Sequence, residues 1–217
     1  MFARIAFVSG LLLWAAGAGA SNVSCTVVFE ATWSDTTHPD DYPAGAHFSS
    51  LIGATHNDVI NFWRPGELAS QGIKDVAERG AIGEFQRAIR DEIYTSTAYA
   101  VISGSNAGSP DVVSTDFILS PEYPLFTMIT MIAPSPDWFV GVYDVLLYEN
   151  GRWLDHYIEL YPWDAGTDSG TTYTSSNEAT DPPQPISLIT DGPAGNGEPF
   201  GSFSILCDGI LTTSFGD

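Results

Sequence analysis

The stretch from Asp111 to Leu160 constrains the fold most. It carries four consecutive runs rich in β-branched and aromatic residues: Val112 to Leu119, Leu125 to Ala133, Trp138 to Tyr148 and Arg152 to Leu160. The last two flank Glu149-Asn150-Gly151-Arg152, and Asn-Gly between strands is the strongest short hairpin signal, since both positions accept the positive φ of a type I′ turn. Upstream, Thr26 to Trp33 alternates as a half-buried strand does, and Phe203 to Leu206 supplies a last short one. Residues 34 to 66 are punctuated by Pro39, Pro43, Gly45, Gly53, Pro65 and Gly66 and read as irregular. Two helical pieces follow. Ser70 caps the first, which stops at Gly80; the second runs from Ile82 to Tyr94 with Ile82, Phe85, Ile89 and Ile93 on one core-facing stripe. Many strands, one helical excursion and Gly/Pro turns predict an all-β antiparallel sandwich with a short helical insertion near residues 67–94.

Residues 1–20 read as a secretory leader. Arg4 gives a minimal positive start, Ile5 to Ala16 an apolar stretch too short to span a bilayer, and Ala18-Gly19-Ala20 a small-residue cleavage site. Residues 21–217 are then expected to form one exported domain, outside the cell or in the periplasm of a bacterial host. The full chain of 217 residues has 27 acidic and 7 basic residues, a formal charge of −20. Such a surface repels a polyphosphate backbone, so nucleic acid is excluded as a partner, and anionic lipid needs a bridging cation. Cys25 and Cys207 are the two cysteines; in an exported chain an even count reads as a bridge, and closing so long a loop contributes about 2–4 kcal/mol. Asn22-Val23-Ser24 fits a glycosylation sequon that matters only in a host able to use it.

Two loops carry the candidate chemistry. Pro134-Ser135-Pro136-Asp137 is a corner stiffened by two prolines, and Trp163-Asp164-Ala165-Gly166-Thr167-Asp168-Ser169-Gly170 sets two carboxylates four residues apart among glycines. If the Asn-Gly hairpin pairs along its length, both loops lie at its open end and Asp137, Asp164 and Asp168 converge. Three crowded carboxylates raise one another's pKa, and a hard divalent cation relieves them; calcium accepts six to eight oxygens in irregular geometry, whereas magnesium demands a stricter octahedron. The plainer alternative is that these acids merely make Asx-turns. Zinc is disfavoured, because His38, His47, His56 and His156 show no ligand spacing, and His56 reads as a hydrogen-bonded structural residue. No nucleophile elbow is present: Gly104-Ser105-Asn106-Ala107-Gly108 places its serine one position early.

The same residues carry a resemblance. PSPDWFVGV (134–142) and YPWDAGTDSGTTY (161–173) resemble the two signature stretches of the F-spondin/mindin-type spondin domain family. The likeness extends to FEATWS (29–34), HFSSLIGATH (47–56), FWRPGELASQGIKDVAERG (62–80) and PISLIT (185–190), covering about residues 25–190. It implies an eight-stranded antiparallel sandwich binding calcium at one end, with Asp137, Asp164 and Asp168 as the metal ligands. It also implies a non-enzymatic, extracellular recognition or adhesion module with a protein or glycan partner. Animal members continue into thrombospondin repeats, so this chain is expected to be a stand-alone form. Relatives carry a cysteine where this chain has Tyr148, which leaves Cys207 as the partner of Cys25. The competing expectation is a secreted hydrolase or carbohydrate-binding protein on a similar sandwich.

Overall fold

A computed structural model describes residues 21–207. The leader assigned to residues 1–20 lies outside the described residues, as does the segment 208–217. Alternation becomes burial in β1 (Val23–Ala31): Val23, Cys25, Val27, Phe29 and Ala31 face inward while Ser24 and Glu30 face solvent. Seven further strands are five residues or longer: β2 (Ile52–His56), β3 (Ala98–Ser103), β4 (Asp111–Leu119), β5 (Leu125–Ala133), β6 (Trp138–Leu146), β7 (His156–Leu160) and β8 (Gly201–Cys207). The helices α1 (Gln71–Arg79) and α2 (Gly83–Tyr94) fall between β2 and β3. These eight strands divide equally between two antiparallel sheets, in the order β7-β8-β1-β4 in one and β3-β2-β5-β6 in the other. Two-residue strands extend the second sheet: Trp163–Asp164 pairs with the start of β6 and Ser187–Leu188 pairs beyond it.

Two cores account for the patterns. Between the sheets lie Phe29, Phe48, Phe117, Phe126, Val140 and Phe203, with Trp33 wedged among Phe48, Tyr173 and Phe200. On the outer face of the second sheet, Ile73, Val76, Phe85 and Ile89 from the helices cover Ile52, Ala54, Ile129 and Phe139. The second sheet is therefore buried on both faces. That explains why β5 is buried at eight of its nine positions, a continuous apolar run rather than an alternating one.

The helices end where their capping residues dictate. The Ser70 hydroxyl accepts from the Ile73 N–H at 3.3 Å, and Gly80 closes α1 in the left-handed conformation, φ 64°. Ser70→Ala should cost about 1 kcal/mol in denaturant melts; an unchanged midpoint would mean that the sheet alone holds α1. Cys25 and Cys207 are register partners of β1 and β8 and form the expected disulfide.

Two expectations change. The segment 34–66 is not wholly irregular, because it contains β2, buried at all five residues. Its Gly53 looks like a breaker but is required by contact: a Cβ there would lie 2.1 Å from the Thr127 carbonyl oxygen on β5. The Asn-Gly hairpin is also shorter than its flanks suggest. Asn150 (φ 51°) and Gly151 (φ 80°) make the turn, but pairing stops after Glu149↔Arg152 and Tyr148↔Trp153. The chain then crosses to the other sheet, where β7 pairs with β8.

Candidate metal centre

The acidic loops meet through strand register. Trp138 opens β6, and Asp164 is its direct partner, so Asp137, in the corner just before β6, lies beside Asp164 at one end of the second sheet. The Asp137 carbonyl oxygen accepts from Ala165 N–H at 3.2 Å, tying the corner to the second loop. The Ser135 hydroxyl oxygen accepts from Trp138 N–H at 3.1 Å and fixes the corner locally.

Asp137 is wholly buried. Its Oδ2 accepts from the Thr167 N–H (2.6 Å), the Asp168 N–H (3.0 Å) and the Thr167 hydroxyl (3.2 Å). Two consecutive amides thus form a small anion nest around one oxygen. Its other oxygen, Oδ1, is buried and has no hydrogen-bond partner among the described residues. Gly166 makes the nest possible: at φ 73° it turns the backbone back, and a Cβ there would lie 2.0 Å from the Gln184 carbonyl oxygen.

Asp164 and Asp168 shape the loop around this cradle. Gly166 N–H donates to Asp164 Oδ1 at 2.6 Å and Gly170 N–H to Asp168 Oδ1 at 2.8 Å, each an Asx-turn two residues on. Asp168 Oδ2 also accepts from Glu178 N–H at 3.0 Å, so this buried carboxylate staples the loop to the next segment. Among the described residues, no three His, Cys, Asp or Glu side chains stand in a group that could by themselves hold a metal ion.

The electrostatics reflect crowding with little water. Burial, reinforced by the charge of Asp164, pushes the Asp137 carboxyl up to about 6 despite its amide donors. Burial also raises Asp164; the Gly166 amide opposes this and the charge of Asp168 adds to it. Asp164 therefore feels the field of Asp168 and Asp137 feels that of Asp164.

Sequence reasoning placed all three aspartates in one neighbourhood, though by a hairpin that does not extend that far. It missed Thr167 as a double donor and Gln184 as the wall behind Gly166. The signal for Thr167 is the Gly-Thr-Asp step itself, a turn that aims successive amides in one direction. His56 is the structural histidine expected: fully buried, with Nδ1 2.9 Å from the Asn57 carbonyl oxygen and Nε2 2.8 Å from the Thr127 hydroxyl. Trp33, Trp63 and Trp138 are buried, while Trp153 and Trp163 are half-buried.

A two-sheet sandwich whose first and last long strands are adjacent and clipped by a disulfide, with a buried carboxylate cradle on the loops at one end, defines the class of protein. The sequence matches the Spondin_N family over residues 23–203, and the chain belongs to that family. It is 37% identical over 171 residues to Spondin-2 of Rattus norvegicus and 36% identical over 179 residues to Spondin-2 of Homo sapiens. It is 37% identical over 175 residues to Spondin-1 of Mus musculus. Each match covers 76% of this chain, 52% of the Spondin-2 proteins and 21% of Spondin-1, so the chain spans about half the length of the former and a fifth of the latter. Family membership and a closed disulfide, which persists in oxidising surroundings, make this an extracellular chain. No helix among the described residues is long and apolar enough to cross a membrane.

Proposed function

We propose that this chain is a non-enzymatic extracellular recognition or adhesion module whose end loops are ordered by one calcium ion, with Asp137, Asp164 and Asp168 as its carboxylates. The observation that carries the reading is Asp137 Oδ1, a carboxylate oxygen fully removed from solvent that meets no donor among the described residues. Leaving such a group unsatisfied costs folding free energy, and a divalent cation supplies the missing partner and offsets the mutual repulsion of the aspartates. Carboxylate and backbone carbonyl oxygens, without nitrogen or sulfur, would suit a hard, irregularly coordinated ion. Since the carboxylates alone do not make a complete cage, carbonyls of the glycine-rich loop and water would supply the remaining oxygens. The ion would fix the loops and neutralise the rim, so that a protein or glycan partner meets an ordered surface.

A hydrolytic reading finds little support in the histidines. The His56–Thr127 contact resembles a base beside a hydroxyl, but both residues are fully buried within the sheet, where no substrate reaches them.

Calcium titration of an Asp168→Asn variant tests the ligand set. Affinity should fall about tenfold or more, while excess calcium still supports the fold. Unchanged stoichiometry and affinity would remove Asp168 from the site and leave it a loop staple through Gly170 and Glu178.

A further inference from the structure

The end of the sandwich opposite the acidic loops carries a second cleft. β5 separates the two ends: the acidic corner follows Ala133, whereas the turn Ser120–Tyr123 precedes Leu125. Nine extended residues place the ends about 30 Å apart. The cleft measures about 510 Å³, and three of its walls are tyrosines: Tyr99, Tyr123 and Tyr148. Tyr99 stacks on Tyr123, with ring centroids 5.6 Å apart and planes inclined by 26°, yet remains 38% exposed. Trp153 braces Tyr148 from 4.4 Å. The rings are held in place: Asn22 Nδ2 donates to the Tyr99 hydroxyl oxygen at 2.8 Å.

The polar part of the lining is one-sided. Glu122 is exposed and forms no ion pair among the described residues. The amide of Asn22 is engaged by Tyr99, and the buried Ser120 hydroxyl oxygen accepts from the Glu122 N–H at 3.4 Å. A neutral sugar would need several converging free donors and acceptors; beside the Tyr123 and Tyr148 hydroxyls, the one charged group in the lining is a carboxylate. Of the six described Lys and Arg residues, five fall between Arg64 and Arg90, and the sixth, Arg152, stands opposite Glu149 in the hairpin and does not line the cleft. An anion would meet a chain of charge −20 with no cation to receive it.

We propose that the tyrosine cleft formed by Tyr99, Tyr123, Tyr148 and Glu122 binds an organic ammonium cation. Aromatic faces carry the negative end of the ring quadrupole and attract such a group, a carboxylate adds a point charge, and the acidic surface steers cations inward. Quaternary ammonium suits the site better than a metal ion, since its hydration is weak and its methyl groups pack on tyrosine rings.

Calorimetric titration with choline chloride, at ionic strength fixed by sodium chloride and with chelator present, tests this apart from the calcium site. Choline should bind saturably, and glucose and acetate should not. Glu122→Gln and Tyr123→Leu should each weaken choline about fivefold or more, whereas Tyr123→Phe, which keeps the ring face, should stay within about twofold of wild type. Glu122 is exposed and its amide nearly isosteric, so that variant reports on binding rather than folding. Choline heats that never saturate, glucose binding in its place, or equal losses for the Phe and Leu variants would each overturn the proposal.

Discussion

In the presence of chelator, the wild-type domain should lose about 2 kcal/mol of stability through Asp137 alone as pH rises from 4 to 7. The folded carboxyl titrates near 6 and the unfolded one near 3.8, so between those values the folded state holds the extra proton. A carboxyl with a raised folded pKa contributes stability that is fully present below the unfolded value and is lost as pH climbs through the folded one. A shift of about two units at 1.36 kcal/mol each sets the ceiling, slightly reduced because the unfolded carboxyl is still partly protonated at pH 4. Asp164, also raised, acts in the same direction. Other carboxylates oppose the trend: Asp111, held by the Gly108 and Val112 amides, has a lowered pKa and gains stability with pH. The informative quantity is therefore the difference between wild type and Asp137→Asn, followed by denaturant melts at each pH. The wild-type curve should fall relative to the variant between pH 4 and 7 and run parallel only above that. Saturating calcium should reverse the sign, because metal and proton compete for one carboxylate and higher pH favours the metal. Identical slopes for the two proteins in chelator would show that Asp137 is not held protonated by its surroundings.

Local chemistry was the most legible part of the sequence. Ser70 and Gly80 bound α1 as read, because capping is decided by residues adjacent in the chain. β5 runs from Leu125 to Ala133, the span its β-branched and apolar run announces. What depends on distant partners was hidden. Ile52-Gly53-Ala54-Thr55-His56 looks like a loop by composition, and only the close approach of β5 explains a glycine within a central strand. Asn150-Gly151 declares a turn truthfully but says nothing about how far pairing extends. His156 shows the cost of assuming that it does: its Nε2 sits 2.9 Å from the Leu146 carbonyl oxygen, a side-chain link across the break, while its backbone belongs to the other sheet. The Asp137 corner and the Asp164–Asp168 loop meet nonetheless, through the short pairing of Trp163–Asp164 with Trp138–Phe139. Asp164 and Asp168 do make Asx-turns, and the charge of Asp164 also bears on Asp137 while that of Asp168 bears on Asp164.

Thermal melts with and without calcium at fixed high ionic strength test the central claim most directly. Clustered carboxylates inside a chain of charge −20 could be relieved in two ways, and salt separates them. Monovalent ions screen diffuse surface repulsion over a Debye length of about 10 Å at 0.1 M and about 3 Å at 1 M, but they cannot coordinate a buried oxygen. Bound calcium selects the folded state and stabilises it by RT ln(1 + [L]/Kd), about 2.7 kcal/mol at a hundredfold excess over Kd. For a domain of this size that corresponds to a rise of about 5–10 °C in the midpoint. With salt high enough to screen the surface, millimolar calcium should still produce that rise in the wild type. A variant carrying Asp137→Asn, Asp164→Asn and Asp168→Asn should show little of it. If high salt alone abolishes the wild-type increment, or the triple variant keeps it in full, these aspartates form only an acidic surface and the calcium centre is not there.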